Sequence, residues 1–293
     1  MRLSSDQRSL AGAPAVLSWQ PLDGDGLPRS ISGAVTLTVS SSSGTALVSD
    51  VAATGTGVTA RTYTLAATHT AQVDRLTAVW SVDDVATATT HVDIVGAFYA
   101  SWPAIARRYG GALDASTWSP EQRASARYAA EDTFERELGY SCRRQFREEL
   151  ISVRSHGRLL LSELYPRQVL WATLLDPHGA EASLTPIEVA ALQLSPAGWV
   201  DRVDGGWWGC GTVRIGYVHG LDAPSDDLVD AFATYVMHVM TRQRSTLAAR
   251  TTSYATPEAS YTLSAPGDDR RPTGIDPVDE AIIGHRQKQV NLA

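Results

Sequence analysis

Apolar residues change their spacing more than once along this chain. Between residues 13 and 96 they alternate with Thr and Ser in short runs, at 34–39, 46–48, 61–65, 76–82 and 89–95. Alternation at period two predicts half-buried strands. Gly24-Asp25-Gly26, Ser41 to Gly44 and Gly55-Thr56-Gly57 supply the turns between them. Short strands at this spacing predict an all-β immunoglobulin-like sandwich over 13–97, with Trp80 in its core. No cysteine pair spans it, so only the architecture is argued. Residues 1–12 are polar and read as a flexible arm.

The spacing then becomes helical. Residues 98–109 predict a short helix, with Ser101 as its cap and Gly110-Gly111 beyond its end. Residues 119–138 predict a long one. Ser119 and Gln122 form a capping box, Pro120 sits at the first helical position, and Gly139 supplies a left-handed stop. Ala126, Ala130, Phe134 and Leu138 recur every four residues as one apolar stripe.

Strand patterns return at 145–153, 158–164 and 169–175, then a less regular stretch runs to Trp199. Residues 211–218 give the clearest strand, with Val213, Ile215 and Tyr217 on one face. A second long helix opens after Ser225, with Asp226 and Asp227 at its positive end and a stripe of Leu228, Phe232, Tyr235 and Val239. Two long helices around a small antiparallel sheet predict a mostly helical α+β domain over 98–250.

Residues 251–293 read as an extended C-terminal tail. Thr, Ser, Ala, Pro and Asp dominate to Ile275, and a short helix follows with Asp276 as cap and Pro277 first. A helix of about a dozen residues is marginal alone in water. Its Val278, Ile282 and Ile283 therefore need another surface.

Composition narrows the function. The 293 residues suggest two domains, or one large domain with extensions, and 43% hydrophobic content is enough for real cores. The net charge of −7 leaves no overall basic field for nucleic acid. Lys288 is the only lysine, so arginine carries nearly all positive charge. Cys142 and Cys210 lack CxxC spacing and read as buried thiols. No apolar run approaches a membrane span, no targeting segment is visible, and a soluble protein is expected.

No catalytic constellation emerges, so no enzyme, no cofactor and no metal are expected. Gly139-Tyr-Ser-Cys-Arg143 begins like a nucleophile elbow but ends in Arg and follows a helix. Gly209-Cys-Gly211 precedes a strand, the wrong order for a dinucleotide site. Glu131, Asp132, Glu135 and Glu137 could suggest paired carboxylates, yet Arg127 and Arg136 lie at helical spacing and favour a solvated or ion-paired face. Trp199, Trp207 and Trp208 surround Gly205-Gly206; exposed, they could bind a sugar or stack on bases, but packing beneath the sheet is the favoured reading, with a subunit interface between the two. Arg143, Arg144 and Arg147 form the compact basic group after the first long helix, a small footprint for nucleic acid.

A resemblance enters with the second half. Ala130-Glu-Asp-Thr-Phe-Glu-Arg-Glu-Leu-Gly139 resembles the helix, acidic-Phe-Glu, then Gly signature of the head-to-tail adaptor (connector) proteins of long-tailed bacteriophages. Val213-Arg-Ile-Gly-Tyr-Val-His-Gly220 is similar to their strand ending in Tyr and Gly, and residues 228–242 to their second long helix. Pro272-Thr-Gly-Ile-Asp-Pro-Val-Asp279 resembles their C-terminal segment. The resemblance covers roughly 98–290 and implies a structural virion protein of the neck, assembled in the host cytoplasm. It implies a ring of about twelve copies, a portal protein above it, a further neck or tail-completion protein below it, and DNA passing through without sequence-specific binding.

Interface contacts are expected at Glu131, Glu135 and Arg136 on the first long helix. In the tail they are expected at Tyr254, Tyr261, Thr273, Gly274, Ile275, Pro277, Val278, Ile282 and Ile283. The sandwich departs from the minimal family pattern and reads as an added outer module. Two alternatives remain: a carbohydrate-binding or adhesion protein using the sandwich and tryptophans, and a hydrolase.

Overall fold

The computed structural model describes residues 7–108, 118–153, 158–176, 180–203, 208, 211–242, 253–255, 260–262 and 272–286. It divides into two compact units, one of Met1–Ala97 with Arg143–Asp222, the other of Phe98–Cys142 with Ala223–Ala293.

The first unit opens with β1 (Gln7–Leu10), β2 (Ala15–Trp19), β3 (Val35–Ser40), β4 (Ala46–Ala52), β5 (Arg61–Leu65), β6 (Asp74–Val82) and β7 (Val85–Val95). They form a five-stranded sheet ordered β1-β7-β6-β3-β4 and a two-stranded sheet of β2 and β5. Alternation decides which side chains turn inward. Along β3, Val35, Leu37 and Val39 are buried, and they join Leu17, Leu65 and Trp80 in one core. Trp80 is fully buried, and its indole N–H donates to Thr90 Oγ1 at 3.0 Å, so its one polar atom is satisfied. Residues 7–10, expected within a polar arm, form β1 and pair in parallel with β7.

The same unit continues through β8 (Gln145–Val153), β9 (Arg158–Leu160), β10 (Pro166–Leu175), β11 (Glu181–Ser183), β12 (Leu192–Leu194), β13 (Trp199–Arg202) and β14 (Gly211–His219). Here lie an antiparallel sheet ordered β11-β10-β14-β8 and a three-stranded sheet ordered β12-β13-β9. Val213, Ile215 and Tyr217 all turn into a core with Leu159, Val200 and Trp208. Gly216 answers a packing need: a Cβ there would sit 2.4 Å from the Trp171 ring.

This corrects the expected fold class. Strand takes 41% of the described residues and helix 26%, so the chain is not mostly helical. The region between the two long helices holds two sheets where one small sheet was expected. Several of its strands have only three or four residues, too short to show a period, and they draw their stability from neighbours that sequence does not reveal.

The second unit is built from α1 (Trp102–Arg108), α2 (Pro120–Leu138), α4 (Asp226–Arg242) and α5 (Asp276–His285); α3 (Pro186–Ala190) belongs to the first. Further along the chain, β15 (Ser253–Ala255) and β16 (Ser260–Thr262) pair in a short antiparallel ladder. The α2 termini follow the sequence reading. Ser119 Oγ accepts from the Gln122 N–H, Gln122 returns the bond, and Gly139 takes the left-handed conformation at φ 78°. Ala126, Ala130, Phe134 and Leu138 are buried. Phe134 meets Phe232 of α4 edge-on at 5.4 Å, and Tyr99 stacks on Phe232 at 5.2 Å.

Helix α5 contacts α2 and α4, and its Val278 and Ile282 are fully buried. The surface those residues were expected to seek on another subunit is supplied by their own chain. Its lead-in also differs from the expectation. Asp276 is not the cap; Ile275 holds that position without a side-chain bond. Asp279, buried one turn into the helix, organises the approach instead.

Candidate assembly surfaces

The residues expected to mediate assembly fall into three environments. Glu131 is fully buried, and Thr273, Val278 and Ile282 are buried as well, so none of these four presents a surface. Glu135, Gly274 and Ile275 are half-buried, and Glu135 accepts from the Ser141 hydroxyl at 3.2 Å. Arg136, Pro277 and Ile283 are exposed, with Ile283 45% accessible. Tyr254 and Tyr261 stand opposite each other in the β15–β16 ladder.

The Thr273–Asp279 segment is a closed hydrogen-bonded cradle. Asp279 Oδ1 accepts from the Thr273 backbone N–H at 2.8 Å and the Thr273 hydroxyl at 2.6 Å, while Oδ2 accepts from Gly274 N–H at 3.0 Å. Gly274 sits at φ 77°, where a side chain would strain the backbone. A buried carboxylate with three donors is satisfied, and it fixes how the chain enters α5. At the far end, Arg286 donates to the Glu137 carbonyl at 2.8 Å and its carboxylate at 2.7 Å. His285 lies 2.6 Å from Asp227, whose carboxyl is lowered to about 2 by hydrogen bonds from Ser225 and His285. Sequence reasoning saw the motif but not that Asp279 carries it. The signal was an acidic residue at the fourth helical position after a Thr-Gly pair.

The basic group after α2 points three ways. Arg143 is buried, Arg147 lies 3.8 Å from Glu163 and 3.9 Å from Glu149, and Arg144 meets Asp222 at 3.2 Å. Asp222 also lies 3.7 Å from Arg167, which donates to the Gly220 carbonyl at 2.9 Å. Arg144 and Arg167 stand on the wall of a cleft of about 480 Å³, where Val73 and Val218 supply apolar lining. Gly96 permits this placement: its N–H donates to the Arg144 carbonyl at 2.8 Å, and a Cβ there would come within 2.9 Å of Arg144 Cβ.

Beside it lies a polar cluster. Glu149 accepts from both the Tyr217 and Ser162 hydroxyls. Burial, then the bond to Glu149, raises the Tyr217 phenol far above its usual range. His219 is 2% exposed. Burial, with Arg147 and Arg143 nearby, lowers its pKa to about 4. It lies 3.9 Å from Glu163, but at neutral pH it is an uncharged ring beside a carboxylate and no ion pair. The cluster joins β8, β14 and the loop at residue 162, which is a structural role.

Trp208 is buried in the core and Trp199 is half-buried, so neither is an open platform for a sugar; Trp207 lies outside the described residues. Cys142 is a buried free thiol with its pKa raised to about 11, chiefly by burial; Cys210 lies outside the described residues. Among the described residues, no group of three or more His, Cys, Asp or Glu is placed to hold a metal ion. None of the described helices is long and apolar enough to cross a membrane.

No protein-family model and no curated sequence matches the chain. Among solved structures it is similar to a chain of the neck of an empty GTA (gene transfer agent) particle computed with C6 symmetry. That likeness has a TM-score of 0.44 and 15% identity, and covers 67% of this chain and 93% of that one. A chain from the neck of a native GTA particle computed with C12 symmetry gives a TM-score of 0.42 and 15% identity, covering 68% of this chain and 98% of the other. A chain of the virion of a native GTA particle gives 0.40 and 16%, covering 60% and 82%.

Proposed function

We propose that this chain is a structural protein of a phage-type neck, forming a ring below the portal that joins capsid to tail and continues the DNA channel. One observation carries the reading. Three of the segments behind the family resemblance, 130–139, 228–242 and 272–279, lie far apart in sequence yet pack together in one unit. Their distinctive residues are the ones that hold it: Phe134 against Phe232, Gly139 at the helix stop, and Thr273 and Gly274 on Asp279. The acidic balance of the chain suits a channel wall, because carboxylates repel passing phosphates where a basic lining would retain them.

The test is a mass measurement on purified protein, alone and mixed with its portal. The expected result is a closed ring of about twelve copies. A monomer in both samples overturns the reading.

A further inference from the structure

Among the described residues, the cleft in the first unit sets two guanidiniums against one carboxylate. Arg144 and Arg167 stand on its wall and share Asp222, at 3.2 and 3.7 Å. The Arg167 guanidinium is also anchored on the Gly220 carbonyl, while Arg144 is fixed at its backbone, where its carbonyl accepts from the Gly96 N–H. All three side chains remain open to solvent, at 50% for Arg144, 43% for Arg167 and 70% for Asp222. Each guanidinium carries five N–H donors, and the contacts described use only a minority of them. The rest of the lining is uncharged and partly apolar, with Gln72 and Gln168 amides beside Ala11, Val73 and Val218. A space of about 480 Å³ is on the scale of a pocket for a side chain or small molecule and far below that of a duplex.

We propose that the cleft receives an acidic side chain from the neighbouring copy of this chain in the ring, and that Asp222 holds the place of that carboxylate before assembly. The inference rests on the ring reading above and names the surface through which it is built. Charge complementarity selects the occupant. With 32 acidic residues against 25 Lys and Arg, every copy carries surplus carboxylate, and a cleft that sets two guanidiniums against one carboxylate is its complement. Planar guanidiniums bind carboxylates in pairs of parallel hydrogen bonds, which gives the contact direction as well as strength. A basic cleft meeting an acidic patch elsewhere on the next copy is a head-to-tail contact, the kind that closes into rings.

Lys288 being the only lysine makes the test specific. Arg144→Lys and Arg167→Lys each place a single amine in the cleft. A carbodiimide activates a carboxylate in contact with it. The lysine nitrogen then forms the amide C–N bond, and the reagent leaves as its urea with the carboxylate oxygen. Rings assembled from mixed isotope-labelled and unlabelled copies are cross-linked and digested. Mixed-label peptides joining position 144 or 167 to an Asp or Glu are expected. Same-copy links to Asp222 alone, in rings shown to be mixed, overturn the proposal.

As a second arm, Arg144→Glu with Arg167→Glu should raise the concentration needed for assembly roughly tenfold or more, with the melting temperature little changed. Wild-type assembly should weaken as salt rises from 0.05 to 0.5 M, since exposed pairs are screened. A ring indifferent to the double reversal sinks this inference and leaves the ring reading standing. A wild-type chain that never forms a ring sinks both.

Discussion

His219 shows how one buried side chain ties stability to acidity. Its folded pKa of about 4 lies below the unfolded value of 6.5, so the unfolded chain binds the extra proton between them. Its neutral form is therefore compatible with the fold above pH 6.5, and stability falls as pH drops from there towards 4. The loss from this one group reaches up to about 3 kcal/mol. Urea unfolding at pH 7 and pH 4.5 should show that fall, and His219→Asn should flatten it while lowering stability at pH 7. An unchanged pH slope in the variant would show that other groups set it. Gly139 is a different case: its φ of 78° is needed for the helix stop, and nothing stands within 4 Å of where a Cβ would be, so the conformation alone selects glycine.

Among the elements, α5 depends most on a single residue. Ten residues do not make a stable helix alone, and α5 is held by Val278 and Ile282 below and by the Asp279 cradle at its start. Asp279→Ala removes the acceptor for three donors, two of them on buried Thr273 and the third on Gly274 beside it. A loss on the order of 3 kcal/mol is expected, since hydrogen bonds to a charged group are the costly ones to break. Hydrogen exchange should show 276–285 losing protection while α2 keeps most of its own. Equal loss across both helices would mean that α5 is no separate locking element. Helix α2 carries its own instructions in Ser119, Gln122 and Gly139, and its ends fall where those residues place them.

For the whole molecule, the burial pattern separates residues that hold the fold from residues that can meet a neighbour. Glu131 and Arg136 are five positions apart on the same helix, yet the first is fully buried and the second exposed. Glu131→Arg should therefore unfold the second unit. Arg136→Glu combined with Ile283→Arg, at two exposed positions of the second unit, should leave the melting temperature within a few degrees and weaken oligomerisation. Circular dichroism and a mass measurement on the two variants separate these outcomes. An assembled, folded Glu131→Arg protein would contradict the burial, and an unaffected double variant would remove this face from the assembly surface.

Sequence alone determined the local events, because each needs only residues within a turn or two. The α2 capping box, the glycine stop, the alternation along β3 and β14 and the stripe of Phe134 and Leu138 are all of this kind. The strand-rich balance of the chain was not legible, since three-residue strands such as β9 and β12 take their order from pairing rather than from period. Nor was the burial of Glu131, whose neighbours at helical spacing suggest a solvated face. Only the tertiary structure decided that α5 packs on its own chain, through Val278, Ile282 and Arg286. It also brought Arg144, Arg167 and Asp222 to one cleft across 78 positions of sequence. Contacts of that range come from the topology of the whole chain, and no local pattern encodes them.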